Sequence, residues 1–328
     1  MRRENIYEAM ENDIMRADIT ERDRNKMLKN IMRLKENKVN IMVTGATGCG
    51  KSSTINALFE TEVAKVGAGV DPETMAIEKY ELDNLVLWDT PGLGDGREAD
   101  NRHAKNIIKK LAETDGNGEV LIDLVLVILD GSTRDLGTSY ELINSVIIPN
   151  LGEDKKSRIL VAINQADMAM KGRYWDYKKN VPEKQLEDFL EDKAASIKRR
   201  ILEATGVSIE PIYYSAGYKE EGDVQGRPYN LSKLLYYIVK STPTEKRAVY
   251  ANNVNRDNNM WKDSDELMDY GRETRKTILD SVIEGASKGA EIGGEIGGIF
   301  GSAGETIGKV AGTVIGGTWS LIKSVFRF

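Results

Sequence analysis

The chain has 328 residues, of which 46 are lysine or arginine and 52 are aspartate or glutamate, and 40% of its residues are hydrophobic. This balance excludes collagen-like, mucin-like and simply disordered chains, and it leaves enough apolar residues to bury the core of one large domain or two. The formal net charge is −6, and the basic residues are interspersed with acidic ones rather than grouped in blocks. Both features disfavour a nucleic-acid binder.

Cysteine usage and the amino-terminal sequence indicate the compartment. The single cysteine, Cys49, excludes an intramolecular disulfide. The first residues, MRRENIYEAM, lack the apolar core of a signal peptide. We therefore expect a cytoplasmic protein. It would lie peripherally at the inner face of the membrane if its glycine-rich tail, residues 278–328, contacts lipid.

Residues 1–38 are charged and favour helix. Met27, Leu28, Ile31 and Leu34 recur there at roughly helical spacing. This pattern predicts an N-terminal helical segment, of the kind found in helical hairpins.

Residues 39–241 alternate short apolar runs with amphipathic stretches. The apolar runs are VNIMVT, NLVLWD, LIDLVLVILD, RILVAIN and IEPIYYSA. Strands that alternate with helices predict an α/β fold, in which a largely parallel sheet is covered on both faces. We place a helical linker at 242–277, after this block, and a glycine-rich tail at 278–328.

The first strand runs directly into a glycine-rich loop and a helical stretch. The loop reads G-x-x-x-x-G-K-S, a phosphate-binding pattern that requires this strand-loop-helix context. Its backbone N–H groups would surround phosphates at a helix N-terminus, Lys51 would reach the β and γ phosphates, and Ser52 would ligate Mg²⁺. The predicted phosphate-binding residues are Gly45, Ala46, Thr47, Gly48, Cys49, Gly50, Lys51, Ser52 and Ser53.

The second strand, NLVLWD, ends in Asp89-Thr90-Pro91-Gly92. A carboxylate at the end of a strand beside the phosphate loop can hold Mg²⁺ through water. The Gly92 N–H can sense a γ-phosphate, and the glycine-rich loop that follows can change conformation with that phosphate. Because Thr-Pro-Gly is also a good turn sequence, an ordinary turn is the alternative.

Two further strand ends carry residues suited to reading a base. Asn164, Gln165 and Asp167 follow RILVAI, and Ser215 and Ala216 follow IEPIYY. An aspartate carboxylate can accept two N–H groups from one edge of guanine, whereas adenine offers no matching pair of donors. These residues therefore predict a preference for guanine nucleotides.

The tail concentrates glycine. Of 31 glycines in the chain, 12 fall between Gly285 and Gly317, mostly every fourth residue. Small residues at this spacing let helix backbones approach closely, and a break near 301–304 predicts a helical hairpin, a glycine zipper. The final TWSLIKSVFRF combines aromatic and basic residues in a way that suits a membrane interface. Conditional membrane association, packing within the protein or an oligomer, and a flexible tail all remain open.

Taken together, these motifs resemble the Era-like and septin-like branch of the TRAFAC class of GTPases, over residues 39–241. The sequences GATGCGKSSTINALF and LWDTPGLGDG are most similar to uncharacterised prophage-associated bacterial GTPases, which have a G domain of the 50S ribosome-binding-GTPase type. A looser similarity extends to immunity-related and GIMAP-type GTPases. The resemblance implies a Ras-like six-stranded sheet, GTP binding with Mg²⁺, and slow hydrolysis to GDP.

The resemblance also assigns roles and exposes departures. It implies that Thr74, with Thr61 as the alternative, contacts Mg²⁺ and the γ-phosphate. Gln165 replaces the usual lysine of the base motif, and Leu93 stands where Ras-like enzymes place the glutamine that orients water. Gly48 stands where potassium-activated relatives carry asparagine. Hydrolysis should therefore be slow, and the missing group must come from elsewhere.

Arg134, in the loop after the long apolar strand LIDLVLVILD, is one candidate for that missing group. In GIMAP-like relatives a nearby arginine acts across a dimer. With Arg134 added, the predicted catalytic residues are Lys51, Thr74, Gly92 and Arg134. The alternative is a solvated arginine paired with Asp135.

Arg97 and Arg102 are weaker candidates for the missing group. Three other features have both a chemical and a purely structural interpretation. His103 either positions water or lies on an exposed helix face. Cys49 is either redox-sensitive or a small filler behind the loop. The aromatic residues Tyr174, Trp175 and Tyr177 either edge the base or pack locally.

The resulting functional expectation is a Mg²⁺-dependent GTPase that acts as a switch, forms a nucleotide-dependent homodimer or oligomer, and contacts a membrane through 278–328. One alternative is a membrane-inserting, pore-like protein in which GTP only regulates assembly. Another is a ribosome-associated assembly GTPase, although no basic RNA-binding module is visible.

Overall fold

The computed structural model describes residues 5–59, 77–92, 94, 96–153, 155–217, 226–287 and 316–326. Thr61, Thr74 and Leu93 lie outside the described residues, and so does the central part of the glycine-rich tail.

A six-stranded sheet forms the centre of the fold, in the order β2-β3-β1-β4-β5-β8. Only β2 is antiparallel to its neighbour, and the other pairs are parallel. This confirms the predicted α/β class and the mostly parallel six-stranded sheet. The strands are β1 (Val39–Gly45), β2 (Glu78–Leu82), β3 (Leu85–Asp89), β4 (Leu124–Asp130), β5 (Ile159–Asn164) and β8 (Ile212–Tyr213), and β6 (Trp175–Asp176) and β7 (Val181–Pro182) form a separate hairpin.

Helices cover both faces of the sheet. Those of the described residues are α1 (Ile6–Arg16), α2 (Glu21–Glu36), α3 (Lys51–Phe59), α4 (Arg97–Leu111), α5 (Gly137–Glu141), α6 (Lys184–Thr205), α7 (Leu231–Ser241), α8 (Tyr250–Asn253), α9 (Tyr270–Ser287) and α10 (Gly316–Val325). A π-helical turn at Leu142–Ile147 and 3₁₀ segments at Ile148–Asn150, Ala166–Gly172, Thr244–Val249 and Asn258–Trp261 complete them.

Alternating side chains of the central strands fill two separate cores. In β4, Leu124, Leu126 and Ile128 pack with the face that carries α1, α2, α3, α7, α9 and α10. Val125 and Val127 pack with the face that carries α4 and α6. Such burial on both faces explains why β1, β4 and β5 read as nearly continuous apolar runs.

The strand order also determines where a ligand would bind. From β1 the chain continues to β2 and β3 on one side of the sheet, and it then crosses to β4, β5 and β8 on the other. Open α/β sheets bind ligands at such a switch point, outside the carboxyl ends of the strands. The glycine-rich loop follows β1, so it lies at this edge.

The N-terminal segment folds into two capped helices that pack on the end of the chain. The Asn5 side chain accepts the Tyr7 N–H, and the Thr20 hydroxyl accepts the Asp23 N–H, so each helix begins with a hydrogen-bonded cap. Met27, Ile31 and Leu34 form the buried stripe of α2, as their spacing predicts. Contacts join α2 to α9 and α1 to α10.

Helix α9 runs without interruption through the boundary that the sequence suggested at 277. Near its end, a Cβ added to Gly285 would lie 2.8 Å from Leu34 Cδ1 and Cδ2. The side chain of Asn30 donates to the Ala286 carbonyl at 2.9 Å. The absence of a side chain at Gly285 therefore lets α9 lie close against α2.

Helix α10 is tied to α1 by a buried carboxylate. Asp13 accepts the Gly317 N–H at 3.0 Å, the Thr318 N–H at 2.7 Å and the Thr318 hydroxyl at 2.7 Å. A carboxylate that accepts the first N–H groups of a helix satisfies donors with no partner inside that helix. Asp13 therefore caps a helix whose residue Gly317 lies 304 positions later in the sequence.

The apolar side of α10 is buried, with Leu321, Ile322, Val325 and Phe326 in the core. The expectation that Phe326 serves a membrane interface is therefore wrong, because this ring packs inside the protein. Among the residues that the structure describes, none of the helices combines the length and the apolar character needed to cross a bilayer.

Candidate nucleotide site

The loop between β1 and α3 depends on glycine at three positions, Gly45, Gly48 and Gly50. A Cβ on Gly45 would lie 2.2 Å from the Ile128 carbonyl oxygen, and one on Gly50 would lie 2.2 Å from Asn164 Nδ2. Gly48 and Gly50 have φ values of +78° and +88°, a region that other residues rarely adopt. The glycines of the motif are thus required by close approach and by backbone conformation.

Lys51 begins α3 and folds back over this loop. Its Nζ donates to the carbonyl oxygens of Gly45, at 3.4 Å, and of Ala46, at 3.3 Å. Ser52 and Ser53 follow in the first turn of α3, and Thr47 lies within the loop. The structure therefore brings the predicted phosphate-binding residues together around one helix N-terminus, where the helix dipole favours anions.

Cys49 lies behind the loop and is fully buried. Its Sγ lies 2.8 Å from the place where a Gly45 Cβ would be. Burial raises the pKa of the Cys49 thiol to about 11, against the opposing effect of Lys51. Because the thiolate is the reactive form, this environment favours the filler interpretation over redox control.

Asp89, at the end of β3, carries an unpaired buried oxygen. β3 pairs with β1, and Asp89 lies opposite Val43. Its Oδ1 has no hydrogen-bond partner among the described residues. Burial raises the pKa of this carboxyl to about 6, although the nearby Lys51 ammonium acts in the opposite direction. An orphaned carboxylate oxygen is costly unless a cation approaches it, and Mg²⁺ prefers oxygen ligands, so the Asp89 carboxylate and the Ser52 hydroxyl have the donor chemistry of a magnesium site.

The residues after Asp89 connect β3 to the loop. The Thr90 hydroxyl donates to Thr44 Oγ1 at 2.8 Å, and the Thr90 N–H donates to the Val43 carbonyl at 3.0 Å. A Cβ on Gly92 would lie only 2.2 Å from Thr47 Oγ1. The Asp-Thr-Pro-Gly segment therefore lies directly against the phosphate-binding loop.

Asn164 joins the loop to the segment after β8. Its Nδ2 donates to the Cys49 carbonyl at 3.0 Å, and its Oδ1 accepts the Ala216 N–H at 3.0 Å. Sequence reasoning placed Asn164 among the base-reading residues but did not identify this bridge. Both halves of the predicted base site are thereby held at fixed positions relative to the loop.

The Gln165 side chain contacts the phosphate loop. It adopts a left-handed backbone with φ of +59°, and its Nε2 donates to the Gly48 carbonyl at 2.8 Å. The glutamine retains an N–H donor toward the loop but carries no charge. Gln165 therefore joins the base segment to the loop without placing a cation there.

Asp167 and Ser215 lie on neighbouring backbone segments. Asp167 is in the 3₁₀ segment that follows β5, and the N–H of the preceding Ala166 donates to the Tyr214 carbonyl at 3.1 Å. The buried Tyr214 hydroxyl is hydrogen-bonded to Thr54 Oγ1 of α3 at 2.6 Å. No motif in the sequence indicated this hydrogen bond between Tyr214 and Thr54.

Arg134 is exposed, and within the described residues it forms no ion pair with Asp135. Instead, Asp135 accepts the Gly137 N–H at 2.9 Å. The loop is held from α6, because Lys193 Nζ donates to the carbonyls of Gly131 and Thr133 at 2.7 and 2.6 Å. Arg134 therefore projects from a loop whose backbone is fixed.

Helix α4 contains the other charged candidates. Arg97 and Arg102 are exposed. The expectation that His103 is exposed is wrong, because it is only 5% exposed and its Nδ1 lies 3.2 Å from the Gly92 carbonyl oxygen. The signal was present in the sequence, since His103 lies one helical turn before Ile107 and two before Leu111, on the same apolar stripe.

The aromatic residues after the base motif divide into two groups. Trp175 is buried and makes an edge-to-face contact with Tyr229, with ring centroids 5.4 Å apart. Tyr177 is 69% exposed and Tyr174 is 38% exposed. Local packing therefore accounts for Trp175 but not for the two tyrosines.

Comparison with known proteins agrees with this geometry. Residues 40–165 match the family described as 50S ribosome-binding GTPase. Uncharacterized protein YkfA of Escherichia coli is 28% identical over 156 residues, which are 47% of this chain and 50% of that protein. Uncharacterized protein YfjP of the same organism is 29% identical over 148 residues, which are 44% of this chain and 47% of that protein. This chain thus spans about half the length of these relatives.

Solved structures give a weaker likeness. Toc33 from Arabidopsis thaliana superimposes with a TM-score of 0.46 and 16% identity, over 74% of this chain and 97% of that one. The bacterial dynamin GTPase LeoA from ETEC gives a TM-score of 0.41 and 14% identity, over 88% of this chain and 47% of that one. Because both scores are below 0.5, we assign the fold from the strand order and the phosphate loop.

The loop geometry, the strand order and the family match lead to one assignment. Residues 40–165 match a family of GTPases, a class of hydrolases that act on GTP, and the strand order and the phosphate loop of this region are those of a Ras-like P-loop fold.

Proposed function

We propose that the whole protein is a Mg²⁺-dependent GTPase that acts as a nucleotide-dependent switch. The observation that carries the proposal is the Asn164 bridge, which hydrogen-bonds both the phosphate loop at Cys49 and the base loop at Ala216. A ligand with phosphates at one end and a guanine base at the other would span these two loops.

Each end of that ligand meets suitable groups. The loop N–H groups would donate to the phosphate oxygens, and Lys51 would exchange its present carbonyl acceptors for β and γ phosphate oxygens. Asp167 would accept two N–H groups of guanine. Ser52 and Asp89 would hold Mg²⁺, directly or through water, with Thr74 as the proposed third contributor. When bound, Mg²⁺ neutralises charge on the phosphate oxygens.

We infer that a second copy of the chain supplies the activating group, because Leu93 cannot hydrogen-bond the attacking water. Arg134 is suited to this role, since it is exposed on a loop whose backbone Lys193 holds in place. An arginine supplied in trans can accelerate hydrolysis by roughly 10³ to 10⁵.

Hydrolysis is therefore expected to depend on protein concentration. The rate per molecule should rise as the concentration is raised, and Arg134→Ala should lower the maximal rate by at least about tenfold while leaving GTP affinity unchanged. Phosphate release at several protein concentrations measures both effects. Arg199→Ala, at an exposed position of α6, is the matched control and should behave as wild type. A rate per molecule that is constant with concentration would contradict the dimer.

The tail is the second part of the proposal. Its two described ends are already engaged, Gly285 against Leu34 and Gly317 against Asp13. We infer that residues 288–315 mediate self-association or membrane contact. Truncation after Thr277 would also remove the buried residues of α10. The test should therefore replace residues 288–315 only and keep the rest of the chain.

Vesicle flotation tests whether residues 288–315 mediate membrane contact. The full chain should float with phosphatidylglycerol and phosphatidylethanolamine vesicles in at least one of three states, with GTP, with GDP or without nucleotide. A variant in which 288–315 is replaced by a glycine-serine segment of equal length should remain at the bottom. Flotation of neither protein in any state would contradict membrane contact. Release of a trapped dye by the full chain without nucleotide would favour the pore-like alternative.

Ribosome association is an alternative that the family description suggests. Co-sedimentation with purified 50S subunits in high salt would favour it over the membrane proposal.

A further inference from the structure

His103 is a buried polar side chain that the proposed GTPase chemistry does not use. It is the only histidine in the chain, and it lies on the buried stripe of α4. Its Nδ1 is 3.2 Å from the Gly92 carbonyl oxygen. Because a carbonyl oxygen can only accept, Nδ1 carries the hydrogen in this contact.

Gly92 is held between His103 and the phosphate loop. On its other side, a Cβ added to Gly92 would lie 2.2 Å from Thr47 Oγ1 and 2.6 Å from the Thr47 nitrogen. Gly92 thus contacts the loop and α4 at once. A displacement of Gly92 toward or away from a phosphate would change its hydrogen bond to His103.

A second contact ties the same segment to the same helix. Asp100 Oδ1 accepts the Gly94 N–H at 2.9 Å. Asp100 and His103 are three residues apart and therefore neighbours on the helix surface. Gly92 and Gly94 are therefore each hydrogen-bonded to α4, at two adjacent points on that helix.

We propose that His103 is a positioning residue, which couples the γ-phosphate sensor Gly92 to α4. The proposal rests on the proposed GTPase function and acts through Gly92, not through contact with the nucleotide. The hydrogen bond from His103 holds the Gly92 backbone where its N–H meets a γ-phosphate. GDP has no γ-phosphate, so its binding should be insensitive to His103.

The experiment compares two substitutions in the full chain. His103→Leu removes the donor at similar volume, and His103→Asn keeps an N–H donor near the position of Nδ1. Affinities for a fluorescent non-hydrolysable GTP analogue and for fluorescent GDP are measured for both variants and for wild type. Hydrogen exchange of the α4 amides is recorded with each nucleotide.

The two variants should differ in the ratio of their affinities for the GTP analogue and for GDP. His103→Leu should weaken binding of the GTP analogue by about fivefold and leave GDP affinity within about twofold, which corresponds to one net hydrogen bond. The difference in α4 exchange between the two nucleotides should be lost. His103→Asn should restore both the ratio and the exchange difference.

Other outcomes overturn the proposal. Equal weakening of both nucleotides by His103→Leu would indicate a merely structural role, and an unchanged ratio with an intact exchange difference would show that His103 is dispensable. Failure of both variants to fold, judged by thermal unfolding, would likewise indicate that the residue supports the core. Wild-type protein that binds neither nucleotide would instead refute the GTPase function itself.

Discussion

Lys51→Ala is expected to weaken GTP binding by at least about 100-fold and to abolish measurable hydrolysis. Hydrogen bonds from a charged donor contribute about 1.5 to 3 kcal/mol each, and Lys51 would make them to two phosphate groups. Its Nζ already lies over the loop, 3.4 Å from the Gly45 carbonyl and 3.3 Å from the Ala46 carbonyl. Titration with a fluorescent GTP analogue and a phosphate-release assay measure the two effects.

Lys29→Ala is the matched control for this experiment. Lys29 is exposed on α2, so its removal deletes the same charge from another helix and should leave binding unchanged. If Lys51→Ala hydrolysed GTP as fast as wild type, the assignment of the phosphate loop would be wrong.

Asp167→Asn is expected to shift the base preference of the site from guanine toward xanthine. The carboxylate can accept the two N–H groups on one edge of guanine, and an asparagine places a donor where one of them approaches. GTP affinity should fall by about 100-fold, since two hydrogen bonds to a charged acceptor are lost. Xanthosine triphosphate carries a carbonyl where guanine has its amino group, so the variant should bind this nucleotide more tightly than wild type does.

Competition between nucleotides for a fluorescent GDP probe tests this prediction. Asp192→Asn, at an exposed position of α6, serves as the control and should retain the guanine preference. Equal turnover of ATP and GTP by wild-type protein would contradict the guanine assignment, and so would an Asp167→Asn variant with unaltered GTP affinity.

Sequence reasoning was most informative where the chemistry is local. Gly45, Gly50 and Lys51 belong to one short strand-loop-helix segment, and the conformation of such a segment depends mainly on its own residues. Asp89 and Asn164 could also be placed, because parallel strands bring their carboxyl ends to the same edge of a sheet. The α/β class and the predicted six-stranded sheet were confirmed for this reason.

Predictions that depended on distant partners were less successful. The charged sequence around His103 suggested an exposed helix, although its spacing to Ile107 and Leu111 indicated the buried stripe. The aromatic and basic end of the chain suggested an interface, yet Phe326 is in the core. In both cases the side chain is buried by segments that lie elsewhere in the sequence.

The sequence by itself determined which residues we propose for binding phosphate, magnesium and the base, and their order along the chain, because these are properties of residue type and local spacing. Only the tertiary structure decided how the groups are linked. Gln165 donates to Gly48 across 117 residues, and Asp13 caps a helix that begins 303 residues later, at Gly316. Such contacts form when distant segments pack against one another, and no local pattern specifies which segments those will be.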